Sequence, residues 1–272
     1  MQEKFIDIEK VIKDKNPRLL NILPKFIVNY LKRVAHQDEV NEILHDFKDI
    51  YDYEFCAALI KRLNIKATVS GLENIPKDGG FIFASNHPLG GMDAMTLVTV
   101  IEPYRKDVKF IVNDILLNLK NLNGIFTGVN KHGGNTKNSL KLVDELFASD
   151  RAVFVFPAGM VSRRTKGVIA DLEWKKTFIT RAKKHNKTIV PVYVKGELSN
   201  FFYKLSNIRK SLGIKANLEM LYLSDESFKQ RNKTLNIIFG KPIPASHFDR
   251  TKSDKEWSQW MQEKVHQMGH NK

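Results

Sequence analysis

The sequence predicts an α/β protein with a central mixed, largely parallel sheet flanked by helices and an N-terminal helical region. Three observations predict it. Short β-rich runs begin after Lys66: ATVS, FIFAS, VKFIV, AVFVF, TIVPVYV and LNIIF. Helical patterns lie between several of them, such as NSLKLVDELF, which places Leu140, Val143, Leu146 and Phe147 on one face. That alternation is the pattern of strands joined by crossover helices. Before Lys66 the spacing of apolar residues is helical throughout.

Taken in order, Phe5, Ile8, Val11 and Ile12 share a face. Leu19, Leu20 and Leu23 make the next stripe, and Phe26, Ile27, Tyr30, Leu31 and Val34 another. Pro17 and Pro24 lack a backbone donor and separate short helices. Residues 52–64 form a further apolar helical stretch. These faces suit core packing; with Lys25, Lys32 and Arg33 beside them they also suit an interfacial anchor. Residues 1–65 are thus expected as a helical region and 66–272 as the α/β domain carrying the chemistry. FFYKLSNIRKSLGI reads as helical and basic. A last helix carries Trp257, Trp260, Met261, Val265 and Met268 on one core-facing stripe.

Composition bounds the function. Of 272 residues, 42% are hydrophobic and 10% aromatic, so a folded chain is expected. The single cysteine, Cys56, excludes an intrachain disulfide or a cysteine-based zinc site and fits a reducing compartment. A net charge of +14 implies an anionic partner: nucleic acid, anionic lipid or an acidic carrier protein. No apolar run reaches the ~18 residues of a membrane span. MQEKFIDIEK carries acids early and no apolar core, so no signal peptide is expected.

The segment SNHPLGGMDA, Ser85 to Ala94, follows a strand run and precedes a helix pattern. Ligands bind at such strand-to-helix turns in α/β sheets. His87 suits a general base, because a neutral imidazole can take a hydroxyl proton. Asp93 suits a carboxylate that orients the ring and stabilises its charged form. Alternatively, Asp93 is a helix cap. Ser85 lacks the GxSxG context of a nucleophile. Three more segments stand out: NGIFTGVNKHGG, VFPAGMVSRRTKG and IVPVYVKG. The second offers backbone amides, a hydroxyl and guanidinium groups for an anionic headgroup, or is a solvated basic loop.

In this order, SNHPLGGMD, GIF, FPAG with Ser162 and its arginines, and VPV resemble the four motif blocks of the glycerolipid acyltransferase superfamily. NHPLGGMDA, FPAGMVSRR and KGELSNFFYKL resemble its bacterial hemolysin-like branch, related to ornithine- and glycine-lipid synthesis. The resemblance covers roughly residues 65–245. It implies acyl transfer from an acyl-carrier protein or coenzyme A thioester to a lyso-lipid hydroxyl, with neither metal nor redox cofactor. It implies His87 and Asp93 as catalytic residues. It implies Asn86, Gly124, Asn130, Lys131, Phe156, Pro157, Gly159, Ser162, Arg163 and Arg164 as substrate-binding. It also implies a cytoplasmic enzyme, peripheral on an anionic inner membrane face. The chain departs from the pattern in four places. Pro88 to Met92 hold one residue more than is usual between His and Asp, and Asn130 and Lys131 stand near where the second block usually ends in Arg. Ala158 stands where Glu is usual, and Val161 where Arg is usual, with Arg163 and Arg164 beyond it. These departures point to a diverged acceptor site. The rival expectation is a non-catalytic basic module binding lipid or RNA. No RNA-recognition signature stands out, so no nucleic-acid partner is expected.

Overall fold

The runs FIFAS and AVFV have every residue buried, and they pair in parallel at the middle of a seven-stranded sheet. Strands covered on both faces read as continuous apolar runs, which is why neither alternates. The computed structural model describes residues 5–113, 117, 119–129 and 136–270. Its strands are β1 (Lys66–Ser70), β2 (Phe81–Ser85), β3 (Lys109–Asn113), β4 (Phe126–Val129), β5 (Ala152–Val155), β6 (Arg163–Thr165), β7 (Val168–Ala170), β8 (Thr188–Lys195) and β9 (Thr234–Phe239). Its helices are α1 (Ile8–Lys15), α2 (Pro17–Ile22), α3 (Lys25–Val34), α4 (Gln37–Asp46), α5 (Asp52–Arg62), α6 (Gly91–Ile101), α7 (Thr136–Ala148), α8 (Thr177–His185), α9 (Asn200–Ser211), α10 (Leu223–Phe228) and α11 (Asp254–Met268).

The large sheet runs β1-β9-β8-β2-β5-β3-β4. All neighbours are parallel except β8 and β9. The sheet is therefore mixed and largely parallel, as the sequence predicts. All six β-rich runs are strands. Two features escaped the sequence: β4, hidden in GIFTGV, and the antiparallel β6–β7 hairpin, which turns at Lys166 and Gly167. Both are short, and neither has an apolar run to announce it.

One face of the sheet packs Ile82, Ala84, Val153 and Val155 against Trp174, Phe178, Trp257 and Met261. Helix α8 lies on β2 and α11 on β8. The other face stacks Phe83, Phe110 and Phe154, with Phe154 4.6 Å from Phe110 and 5.3 Å from Phe83 between ring centres. Aromatic side chains of this size supply much of the apolar area removed from water. Helix α11 starts with a capping box between Ser253 and Glu256, which satisfies two otherwise orphaned amides.

The chain forms two compact units, residues 1–50 with 198–231, and 51–197 with 232–272. Helix α5, grouped with the N-terminal helices in the sequence, packs on α6 of the sheet unit, with Cys56 Sγ 3.4 Å from Met95 Sδ. Burial pushes the Cys56 thiol up to about 12, so it is not a nucleophile. Conversely, α9 and α10 join α1 to α4. Tyr30 and Tyr222 share a 2.8 Å hydrogen bond, and His36 Nε2 lies 2.9 Å from Asp225.

Candidate active site

Strand β2 ends at Ser85 and α6 begins at Gly91, so His87 sits on the turn between them. Gly90 takes φ +70°, a conformation that costs glycine little, and this bends the longer turn into the helix. Asp93 is the third residue of α6 and is fully buried. It is not the N-cap; Gly90 is. Its carboxylate reaches back instead: Oδ2 accepts the Leu89 amide at 2.8 Å and lies 3.1 Å from His87 Nδ1. Five intervening residues therefore do bring the pair together. The approach is off the line of a full hydrogen bond. Asp93 Oδ1 and His87 Nδ1 have no hydrogen-bond partner among the described residues.

Burial pushes the Asp93 carboxyl above its usual range, and the His87 contact works against that rise. The amino end of α6 also favours negative charge. His87 lies on Phe156, with ring centres 4.0 Å apart and planes 28° from parallel. The ring is thus held on one edge by Asp93 and on one face by Phe156. Nε2, on the opposite edge, has no partner among the described residues. An imidazole so placed can take a proton at Nε2 while a buried carboxylate faces Nδ1.

Because β2 and β5 are parallel neighbours, their following turns meet. The Ser162 amide donates to the His87 carbonyl at 2.9 Å. Ser162 Oγ donates to Asp171 Oδ1 at 2.5 Å, and the His87 amide donates to the same oxygen at 3.2 Å. Trp174 Nε1 donates to Asp171 Oδ2 at 2.9 Å. Asp171 thus ties both turns together, and sequence reasoning missed it. It stands 84 residues from His87 and belongs to no motif. Its only sequence signal was an acid closing an otherwise basic loop.

Several residues expected to bind substrate have other work. Asn86 is buried, and its side chain bonds both the carbonyl and the amide of Val194, clamping β2 to β8. Gly124 precedes β4 and so lies at the amino ends of the parallel strands, the opposite end of the sheet from His87. A Cβ there would sit 1.8 Å from Asp52 Oδ2, so a larger residue would displace the Asp52 carboxylate, which accepts the Gly124 amide at 2.9 Å. Ser162 is buried on Asp171. Arg163 is buried and donates to the Val161 carbonyl at 2.7 Å. Arg164 lies 3.6 Å from Glu197 Oε2. Phe156, Pro157 and Gly159 form the turn facing His87, closed by the Gly159 amide on the Phe156 carbonyl at 2.9 Å. Asn130 and Lys131 lie outside the described residues.

A family model described as Acyltransferase matches residues 10–271. The chain belongs to the acyltransferase family. Two curated relatives resemble this acyltransferase over nearly its full length. The lyso-glycine lipid O-acyltransferase of Bacteroides thetaiotaomicron is 45% identical, covering 97% of each chain. The protein of the same name from Phocaeicola vulgatus is 44% identical, covering 97% of this chain and 95% of its own. Among solved structures, the 1-acyl-sn-glycerophosphate (LPA) acyltransferase PlsC of Thermotoga maritima aligns over 90% of this acyltransferase and 97% of its own chain. The TM-score is 0.47 and the identity 16%.

Proposed function

We propose that this acyltransferase moves a fatty acyl chain from an acyl thioester to the hydroxyl of a lyso-glycine lipid, with His87 as general base. What carries the proposal is the His87–Asp93 contact at 3.1 Å, in a chain that matches two lyso-glycine lipid O-acyltransferases almost end to end. The acceptor hydroxyl gives its proton to His87 Nε2 as its oxygen attacks the thioester carbonyl. Asp93 stabilises the imidazolium that forms. The tetrahedral intermediate then collapses, the C–S bond breaks, and the imidazolium returns the proton to the leaving thiolate. The products are an ester and a free thiol.

The donor is acyl-carrier protein or coenzyme A; both are anionic and suit a chain of net charge +14. The protein works peripherally on the inner face of the cell membrane. Among the described residues, no helix is long and apolar enough to cross a membrane.

Purified protein, offered a radiolabelled acyl chain as its thioester on acyl-carrier protein, is expected to acylate lyso-glycine lipid ahead of lyso-ornithine lipid and lysophosphatidic acid. Replacing His87 by Ala should slow turnover about 10²–10⁴-fold, the usual loss of general-base catalysis. Wild-type-like turnover by the folded variant would falsify the mechanism. Failure with every acceptor would favour a binding-only protein.

A further inference from the structure

Helix α9 is covered on one side and apolar on the other. Phe202, Tyr203, Ser206 and Arg209 face inward and are buried. Arg209 donates from Nε to Glu219 Oε2 at 2.8 Å and from Nη1 to the Ile214 carbonyl at 2.8 Å. Those bonds fold the chain after α9 back onto the helix. The outward side carries Phe201, Ile208 and Leu212 at helical spacing, and the returning chain adds Ile214, Leu218 and Leu221. These six are 38% to 68% exposed. The inner face is already filled, so internal packing does not account for them. The helical unit, the smaller of the two, holds eleven of the sixteen exposed large hydrophobic side chains among the described residues.

Charge indicates what covers this face. Between Leu198 and Leu218 there is no acidic residue, and Glu219 is buried against Arg209. Lys204, Lys210 and Lys215 stand exposed among the apolar side chains, and none has an ion-pair partner among the described residues. Apolar tips interleaved with lysine suit the headgroup boundary of a bilayer. There the apolar side chains enter, and the ammonium groups stay at phosphate level. An acidic protein would satisfy the lysines alone.

We propose that residues 200–222 form the surface by which this protein docks on an anionic lipid bilayer. The partner follows from the lipid acceptor proposed above, but the test needs no turnover. The full chain is floated with vesicles of phosphatidylcholine, with and without phosphatidylglycerol. It should float with the anionic vesicles. Each lysine changed to Gln should weaken that partition about fivefold. The pair Ile208→Ala and Leu212→Ala, which keeps helix-forming residues, should weaken it ~10-fold or more on both vesicle types. Circular dichroism confirms that the variants are folded.

Variants that float like the wild type overturn the proposal. So does a wild type that does not float. It also fails if the Ala pair merely dissociates a dimer in sedimentation, or if the lysine variants lose only binding to acyl-carrier protein. Flotation without acyl transfer leaves the docking surface standing and removes the catalytic mechanism; acyl transfer without flotation does the reverse.

Discussion

In the sheet-bearing unit, Asn86, Asp93, Ser162 and Asp171 are buried around one histidine turn; in the helical unit, Phe201, Ile208 and Leu212 stand in solvent. Each arrangement opposes what folding alone favours. Burying a carboxylate costs free energy unless it is paired, and exposing large apolar side chains forgoes burial. The contrast teaches where function departs from stability. Chemistry draws polar groups inward, where a low dielectric strengthens them. The docking proposed for residues 200–222 would leave apolar groups outside.

Asp93 tests the first half most sharply. Replacing it by Asn keeps an acceptor for the Leu89 amide but removes the charge facing His87. Turnover is expected to fall by about 10²–10⁴. Stability should move the other way. Burial raises the carboxyl above its unfolded value, so its contribution to stability is present below the ordinary carboxylate range and lost as pH rises through the folded value. The Asn variant should therefore gain stability relative to the wild type as pH rises, as denaturant unfolding at a series of pH values would reveal. An unchanged difference would remove the cost assigned to this burial.

Arg209 tests the second half. Changing it to Ala leaves Glu219 buried without its cation, at about 3–5 kcal/mol. The loss should appear as unfolding of the helical unit, read by hydrogen exchange of residues 200–222, with the His87 turn protected as before. Equal loss of protection at both places would show that the two units do not respond separately.

Asp171 gives the smallest expected effect. Three donors point at its two oxygens, so Asn presents its amide to one of them, at about 1–3 kcal/mol. Because Asp171 fixes the two turns and touches no substrate in the mechanism above, kcat should fall with KM nearly unchanged. A rise in KM alone would make it a binding residue instead.

The central strands were legible because a strand buried on both faces is apolar at every position. The His87 turn was legible because it sits between two such patterns. What Asn86 and Gly124 touch was not legible, because a motif reports that a residue is needed and not its contacts. Asn86 serves Val194, and Gly124 makes room for Asp52. Asp171 was invisible because parallel strands bring its loop to His87 from far along the chain, and no periodicity marks such a meeting. The grouping of α9 and α10 with α1 to α4 was hidden for the same reason.

That grouping bears on how the chain is made. Tyr30 and His36 contact Tyr222 and Asp225 across 192 and 189 residues. At ribosomal rates of about 5–20 residues per second, α3 emerges roughly 10–40 seconds before its partners exist. Throughout that interval α3 has its neighbours α1 and α4 to pack on, while Tyr30 and His36 lack Tyr222 and Asp225. The helical unit therefore closes only after strands β1 to β8 have been made.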